Sequence, residues 1–156
     1  MRLPFFVYGT LRPSGANHGR FLHGRTLAEE PARLTGAVLY DGPGYPYAVE
    51  DPSGVVRGEL VTARPEAYDE LLRALDLLED YVPGDPRNLY ERVARDVLRD
   101  AGAGAGAEAG AGAGAGVAPA PVRAWVYVAA PAVAARLRAR GSRIESGEWR
   151  PHAPER

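Results

Sequence analysis

The sequence predicts an α+β domain, and three observations carry that reading. Several runs alternate or cluster apolar and β-branched residues as strands do. One segment, residues 65–80, has clear helical spacing. Clusters of Gly, Pro, Asp and Ser punctuate the runs. At 156 residues the chain suits one domain with a real core over residues 1–150, ending in a tail at 151–156 expected to fray.

Residues 3–8, holding the apolar run Phe5-Phe6-Val7, read as a buried strand. Residues 13–24 read as irregular or weakly helical. Residues 25–40 hold one or two strands, best at Ala32–Tyr40, followed by the turn-rich stretch Asp41-Gly42-Pro43-Gly44-Tyr45-Pro46. Two further strands, Tyr47–Glu50 and Val55–Thr62, are expected on either side of a turn at Asp51-Pro52-Ser53-Gly54. Helix 65–80 starts at Pro65, a good first helical residue, with Glu66, Asp69 and Glu70 complementing its dipole. Tyr68, Leu71, Leu72, Leu75 and Leu78 form its apolar face, and Val82-Pro83-Gly84-Asp85-Pro86 ends it. Strands are expected at Tyr90–Leu98 and Val122–Ala129. Between them, residues 101–116 are nearly pure Ala-Gly alternation, read as a flexible insert at a hairpin tip because it has no side chains to build a core. A short basic helix, Pro131–Arg140, is closed by Gly141.

Composition narrows the chemistry. A formal net charge of −1 gives no reason to expect nucleic-acid or anionic-membrane partners. With no cysteine there are no disulfides, no thiolate catalysis and no cysteine metal sites. Every basic residue is Arg, which removes Schiff-base and lysine-nucleophile chemistry. No apolar run spans a bilayer and the N-terminal stretch is too short for a signal peptide, so a cytoplasmic protein is the expectation.

Two segments suggest a site. The apolar run of the first strand stops abruptly in Tyr8-Gly9-Thr10-Leu11-Arg12. Gly9 permits backbone angles closed to other residues and exposes neighbouring N–H groups, which can hold a carboxylate. In Leu75-Asp76-Leu77-Leu78-Glu79-Asp80-Tyr81, Glu79 stands at the flank of the apolar helix face. Half-burial there would raise its pKa above the usual value of about 4.3 and suit proton transfer near neutral pH. By position alone, a solvated acid near a helix end is the commoner outcome.

Other signals point to structure. Gly9 and Gly15 lack the Gly-Lys-Ser/Thr ending of a phosphate loop. His18 and His23 are off helical register for a metal pair, so no metal site is expected. Neither Ser14 nor Ser146 sits in a nucleophile elbow. Arg12 fits a substrate contact and a salt bridge equally well. Arg136, Arg138, Arg140 and Arg143 form a modest basic cluster that complements a helix C-terminus, and Trp125 and Trp149 are packing residues.

In order and spacing the motifs resemble the gamma-glutamylcyclotransferase (AIG2-like) family. The opening Tyr8-Gly9-Thr10-Leu11, the central Leu75-Asp76-x-x-Glu79 with Tyr81 and Tyr90-x-Arg92, the strand Ala124-Trp125-Val126-Tyr127 and the closing Ser146-Gly147-Glu148-Trp149 carry the likeness. It implies a small mixed, largely antiparallel β-barrel with flanking helices. It also implies cofactor-free cyclisation of a small-molecule γ-glutamyl substrate to 5-oxoproline with release of an amine. A pathway-specific deprotecting enzyme and a non-catalytic binder on the same fold are the alternatives. Glu79 would be the acid/base; backbone N–H groups of Tyr8, Gly9, Thr10 and Leu11 would bind the glutamyl end; Tyr127 would reach the pocket through its hydroxyl, with Tyr90 a weaker candidate. The chain departs from the family in having Asp80 where Gly commonly follows the glutamate, and Glu148 where Asp commonly precedes Trp.

Overall fold

A buried apolar triplet needs cover on both faces, and β1 (Phe5–Val7) obtains it from two strand neighbours and a helix. In this computed structural model, which describes residues 2–13, 15–42, 45–100 and 120–150, β1 lies between β3 (Tyr47–Ala63), antiparallel, and β5 (Val122–Ala129), parallel. β5 pairs antiparallel with β4 (Tyr90–Arg99), β4 with β2 (Thr26–Tyr40), and β2 with β3. The order β3–β1–β5–β4–β2 therefore returns to β3, and five strands close into a mixed, largely antiparallel barrel. A short β6 (Arg143–Ile144) pairs with the far end of β2. The Ala-Gly insert expected at 101–116 and the tail at 151–156 lie outside the described residues. The strands flanking the insert do pair, from Tyr90 opposite Ala129 to Val97 opposite Val122.

One expectation is corrected. Asp51-Pro52-Ser53-Gly54 does not separate two strands, because β3 runs through it. Thr35 pairs with Val55 and Ala37 with Glu50, so these residues bulge out opposite Gly36 alone. The local turn signal is real: Asp51 Oδ1 accepts from the Ser53 N–H at 2.9 Å and from its hydroxyl at 2.7 Å. It bends the ribbon without reversing it, helped by Gly36 at φ 85°.

The helices pack outside the barrel. A single turn, α1 (His18–Phe21), lies in the weakly helical stretch. Pro65–Ala67 forms a 3₁₀ turn that leads into α2 (Tyr68–Leu78), and α3 (Pro131–Arg140) follows β5. Tyr68, Leu71 and Leu75 of α2 are buried against Phe5, Val7 and Val61 of the barrel wall. Each fully buried leucine contributes about 1.5–3 kcal/mol. A second cluster, including Phe6, Leu34, Leu39, Leu60, Val97 and Val126, draws on all five barrel strands and fills the interior.

Candidate active site

The turn after β1 and the C-terminus of α2 face each other across a cavity of about 240 Å³. Tyr8, Gly9, Thr10 and Leu11 form one wall, Leu78, Glu79 and Asp80 another, and Tyr45, Tyr90 and Tyr127 complete it. The structure thus brings together all six residues singled out in the sequence, with Tyr90 beside them.

Backbone geometry fixes Glu79. It caps α2, where the Asp80 N–H donates to Leu77 O at 3.1 Å and the Tyr81 N–H to Asp76 O at 2.8 Å. These two bonds are a Schellman closure, which needs a left-handed residue just past the cap. Asp80 takes that conformation at φ 55°, the only non-glycine among the described residues with positive φ. The closure turns Glu79 from the helix flank into the cavity.

The Glu79 carboxylate has no hydrogen bond or ion pair with any described residue. Because no buried side-chain polar atom among the described residues lacks a partner, its oxygens are open to the cavity. Its pKa is pushed up to about 7, first by burial and then by the like charge of Asp80. The phenols of Tyr8, Tyr90 and Tyr127 are pushed well above the usual range, chiefly by burial and in part by Glu79, so all three remain protonated at neutral pH. Tyr47, behind Tyr45, is pushed up to about 12 for the same leading reason.

The opposite wall is cross-braced. Arg12 N–H donates to Gly9 O at 3.0 Å, and Asn17 holds Thr10 twice: its backbone N–H reaches Thr10 O at 2.8 Å and its side chain Thr10 Oγ1 at 2.9 Å. The amides of Gly9, Thr10 and Leu11 donate to no acceptor among the described residues. Successive uncommitted amides in a turn are a site for an anion such as a carboxylate. Gly9 serves this wall differently from the sequence expectation, since its φ is not left-handed. What matters is space: a Cβ there would lie 3.0 Å from Pro46 Cδ. Pro46 is itself fixed by the Tyr90 hydroxyl, which donates to its carbonyl at 2.7 Å.

Two tyrosine hydroxyls beside the cavity are committed within the fold, and that of Tyr127 more than the resemblance implied. Tyr8 donates to Tyr127 O at 2.5 Å and accepts from the Ala48 N–H at 3.2 Å, tying β1 to β5 and β3. Its contribution to the cavity is ring and backbone. Tyr127 lines the cavity, but its hydroxyl proton goes to Asp76 Oδ1 at 2.6 Å, leaving only a lone pair for a ligand. Asp76 also binds Arg92 through both oxygens, at 2.9 and 3.3 Å, and Arg92 stacks over Trp125 at 4.4 Å. Asp76 and Arg92 stood in the sequence motifs without a role; together they orient Tyr127. The helical step from Asp76 to Glu79 was a legible signal, whereas the partner on β4 was not.

Arg12 resolves to the structural alternative. It bonds Glu59 at 2.8 and 3.2 Å and Glu148 at 3.1 Å, and it is absent from the cavity wall. Glu148 therefore acts in packing, drawing the C-terminal motif with buried Trp149 toward Arg12. His18 pairs with Glu29 at 2.6 Å, away from the cavity wall.

A carboxyl group with a pKa near neutrality, facing uncommitted backbone amides among aromatic rings, is an arrangement suited to proton transfer on a small zwitterion. Comparison with known proteins agrees in kind. A family profile described as "Gamma-glutamyl cyclotransferase, AIG2-like" matches residues 5–151. A Niallia circulans protein described as "Gamma-L-glutamyl-butirosin B gamma-glutamyl cyclotransferase" is 37% identical over 98 residues, which cover 62% of this chain and 59% of that protein. Among solved structures, an Arabidopsis thaliana protein is similar with a TM-score of 0.58 at 26% identity, over 95% of this chain and 69% of the other. The AIG2-like protein of Mus musculus has the same fold, with a TM-score of 0.55 at 23% identity over 83% and 80% of the two chains. With a family match spanning nearly all of its length, the chain belongs to the AIG2-like gamma-glutamyl cyclotransferases.

Proposed function

We propose that this protein is a cofactor-independent cyclising lyase that converts a γ-glutamyl amine or amino acid to 5-oxoproline and a free amine. The observation that carries the reading is the unpaired Glu79 carboxylate, open to the cavity across from the uncommitted amides of Gly9, Thr10 and Leu11. Those amides hold the substrate's α-carboxylate and curl the glutamyl chain. Glu79 takes one proton from the α-ammonium. The freed amine attacks the side-chain carbonyl, a C–N bond closes the five-membered ring, and the C–N bond to the leaving amine breaks. Glu79 returns that proton to the departing nitrogen, and the ring nitrogen gives up its second proton as it becomes the lactam amide; that proton leaves on the released amine as its ammonium, so protons balance and no water is consumed. The substrate supplies the nucleophile, which fits a chain without Cys or Lys. Holding amine and carbonyl together is most of the task, worth several kcal/mol of barrier.

A second reading, removal of a γ-glutamyl group from a pathway intermediate, is favoured by the name of the Niallia circulans relative. Both readings require Glu79. Release of 5-oxoproline from γ-glutamyl amino acids, amines and larger γ-glutamyl amides, by wild type and Glu79→Gln, tests them. Turnover should fall about 10²–10⁴-fold in the variant. Equal rates in both proteins would remove Glu79 from the mechanism.

A further inference from the structure

The chain has arginines and three histidines but no lysine, and no arginine or histidine lines the cavity among the described residues. The charged groups that do line it are two carboxylates, Glu79 and Asp80. The remaining lining is rich in phenol rings, with Tyr45 at 6.3 Å from Tyr90 and Tyr8 and Tyr127 beside them. Carboxylates and aromatic faces attract cations, and both repel a carboxylate. The exposed Arg136 acts electrostatically on Tyr47 but is not part of the wall.

Glu79 is occupied by the reaction itself, which leaves Asp80. Its side chain makes no hydrogen bond or ion pair with a described residue, and it is exposed at the cavity edge. Its backbone occupies a left-handed position that glycine would fill with less strain. An unpaired, exposed carboxylate at the edge of the cavity is placed to meet the part of the substrate that projects outward. In the proposed reaction that part is the leaving amine.

We infer that Asp80 is a specificity-determining residue that selects leaving amines carrying a further positive charge, such as diamines, polyamines or amino sugars, over amines carrying a carboxylate. This inference rests on the proposed lyase reading. It deepens that reading by assigning the chemistry of the group released.

The test uses three donors with leaving groups of four carbons: γ-glutamyl-putrescine, γ-glutamyl-butylamine and γ-glutamyl-4-aminobutyrate. They present a cation, a neutral end and an anion. In wild type, kcat/KM should fall in that order, by about fivefold per step at low salt, and the steps should shrink at high salt. Asp80→Asn removes the charge while keeping a residue that accepts the left-handed conformation, so it should fold. The variant should lose most of the cation-to-neutral ratio. Any change it causes in Glu79 basicity acts on all three donors alike and cancels in that ratio. Equal kcat/KM for the three donors in wild type, or the same ratios in Asp80→Asn, would overturn the selection by Asp80 while leaving the lyase intact. Silence on every donor would overturn both.

Discussion

Replacing Glu79 by Gln should lower turnover about 10²–10⁴-fold and yet stabilise the protein above neutral pH. The folded carboxyl has a pKa of about 7 against 4.5 for the free side chain. Below about pH 4.5 it is protonated in both states and costs nothing. Between 4.5 and 7 the unfolded chain releases its proton while the folded chain retains it, so stability falls as pH rises. Above about 7 the loss is complete. The difference between 7 and 4.5, at about 1.4 kcal/mol per unit, sets an upper value of about 3 kcal/mol. The substituted glutamine amide never bears that charge. Urea unfolding of both proteins at pH 4.5 and pH 8 measures the effect. Near pH 4.5 the two should agree within about 0.5 kcal/mol. At pH 8 the variant midpoint should be higher by up to about 1.5 M, for a slope of about 2 kcal/mol/M. Equal midpoints at both pH values would mean that the carboxylate is not desolvated, and the argument for its basicity would collapse.

Other perturbations separate the supporting parts. Asp76→Asn weakens the grip on Arg92 and removes the anionic acceptor of the Tyr127 hydroxyl. It should cost about 2 kcal/mol and lower Tm by about 4–8 °C, read by calorimetry, with reduced turnover as Tyr127 loses its orientation. Arg12→Ala strands Glu59 and Glu148 and should also cost about 2 kcal/mol, but the pH dependence of any activity should not move, because Arg12 lies outside the cavity wall. Gly9→Ala presses a methyl on Pro46, so it should raise KM for a γ-glutamyl donor while stability changes by only about 1 kcal/mol. An unchanged KM would remove the Gly9 wall as the glutamyl subsite.

Much of this molecule was legible in its sequence, for local reasons. The spacing of Tyr68, Leu71 and Leu75 announces one helical face because burial imposes a 3.6-residue period, and Glu79 follows at its flank. β4 and β5 declare themselves by alternation. What local patterns could not supply are contacts between distant segments. A three-residue β1 gives no hint that its parallel neighbour stands near residue 125, which is what closes the barrel. The turn chemistry of Asp51 and Ser53 suggested a chain reversal, and only pairing with β2 reveals a bulge. The motifs single out Tyr127 and Glu79, and both line the cavity. That the Tyr127 proton is held by Asp76, however, depends on α2 crossing β5, and the unpaired state of Glu79 depends on every neighbour around it.

The most direct measurement is the pH dependence of kcat/KM for 5-oxoproline release between pH 5 and 8.5. A Glu79 base of this environment predicts a rate that rises about tenfold per unit at acid pH and levels off above an inflection near 7. A flat profile across that range, or an inflection near the ordinary carboxylate value, would contradict the assignment of Glu79 as the group that moves the proton.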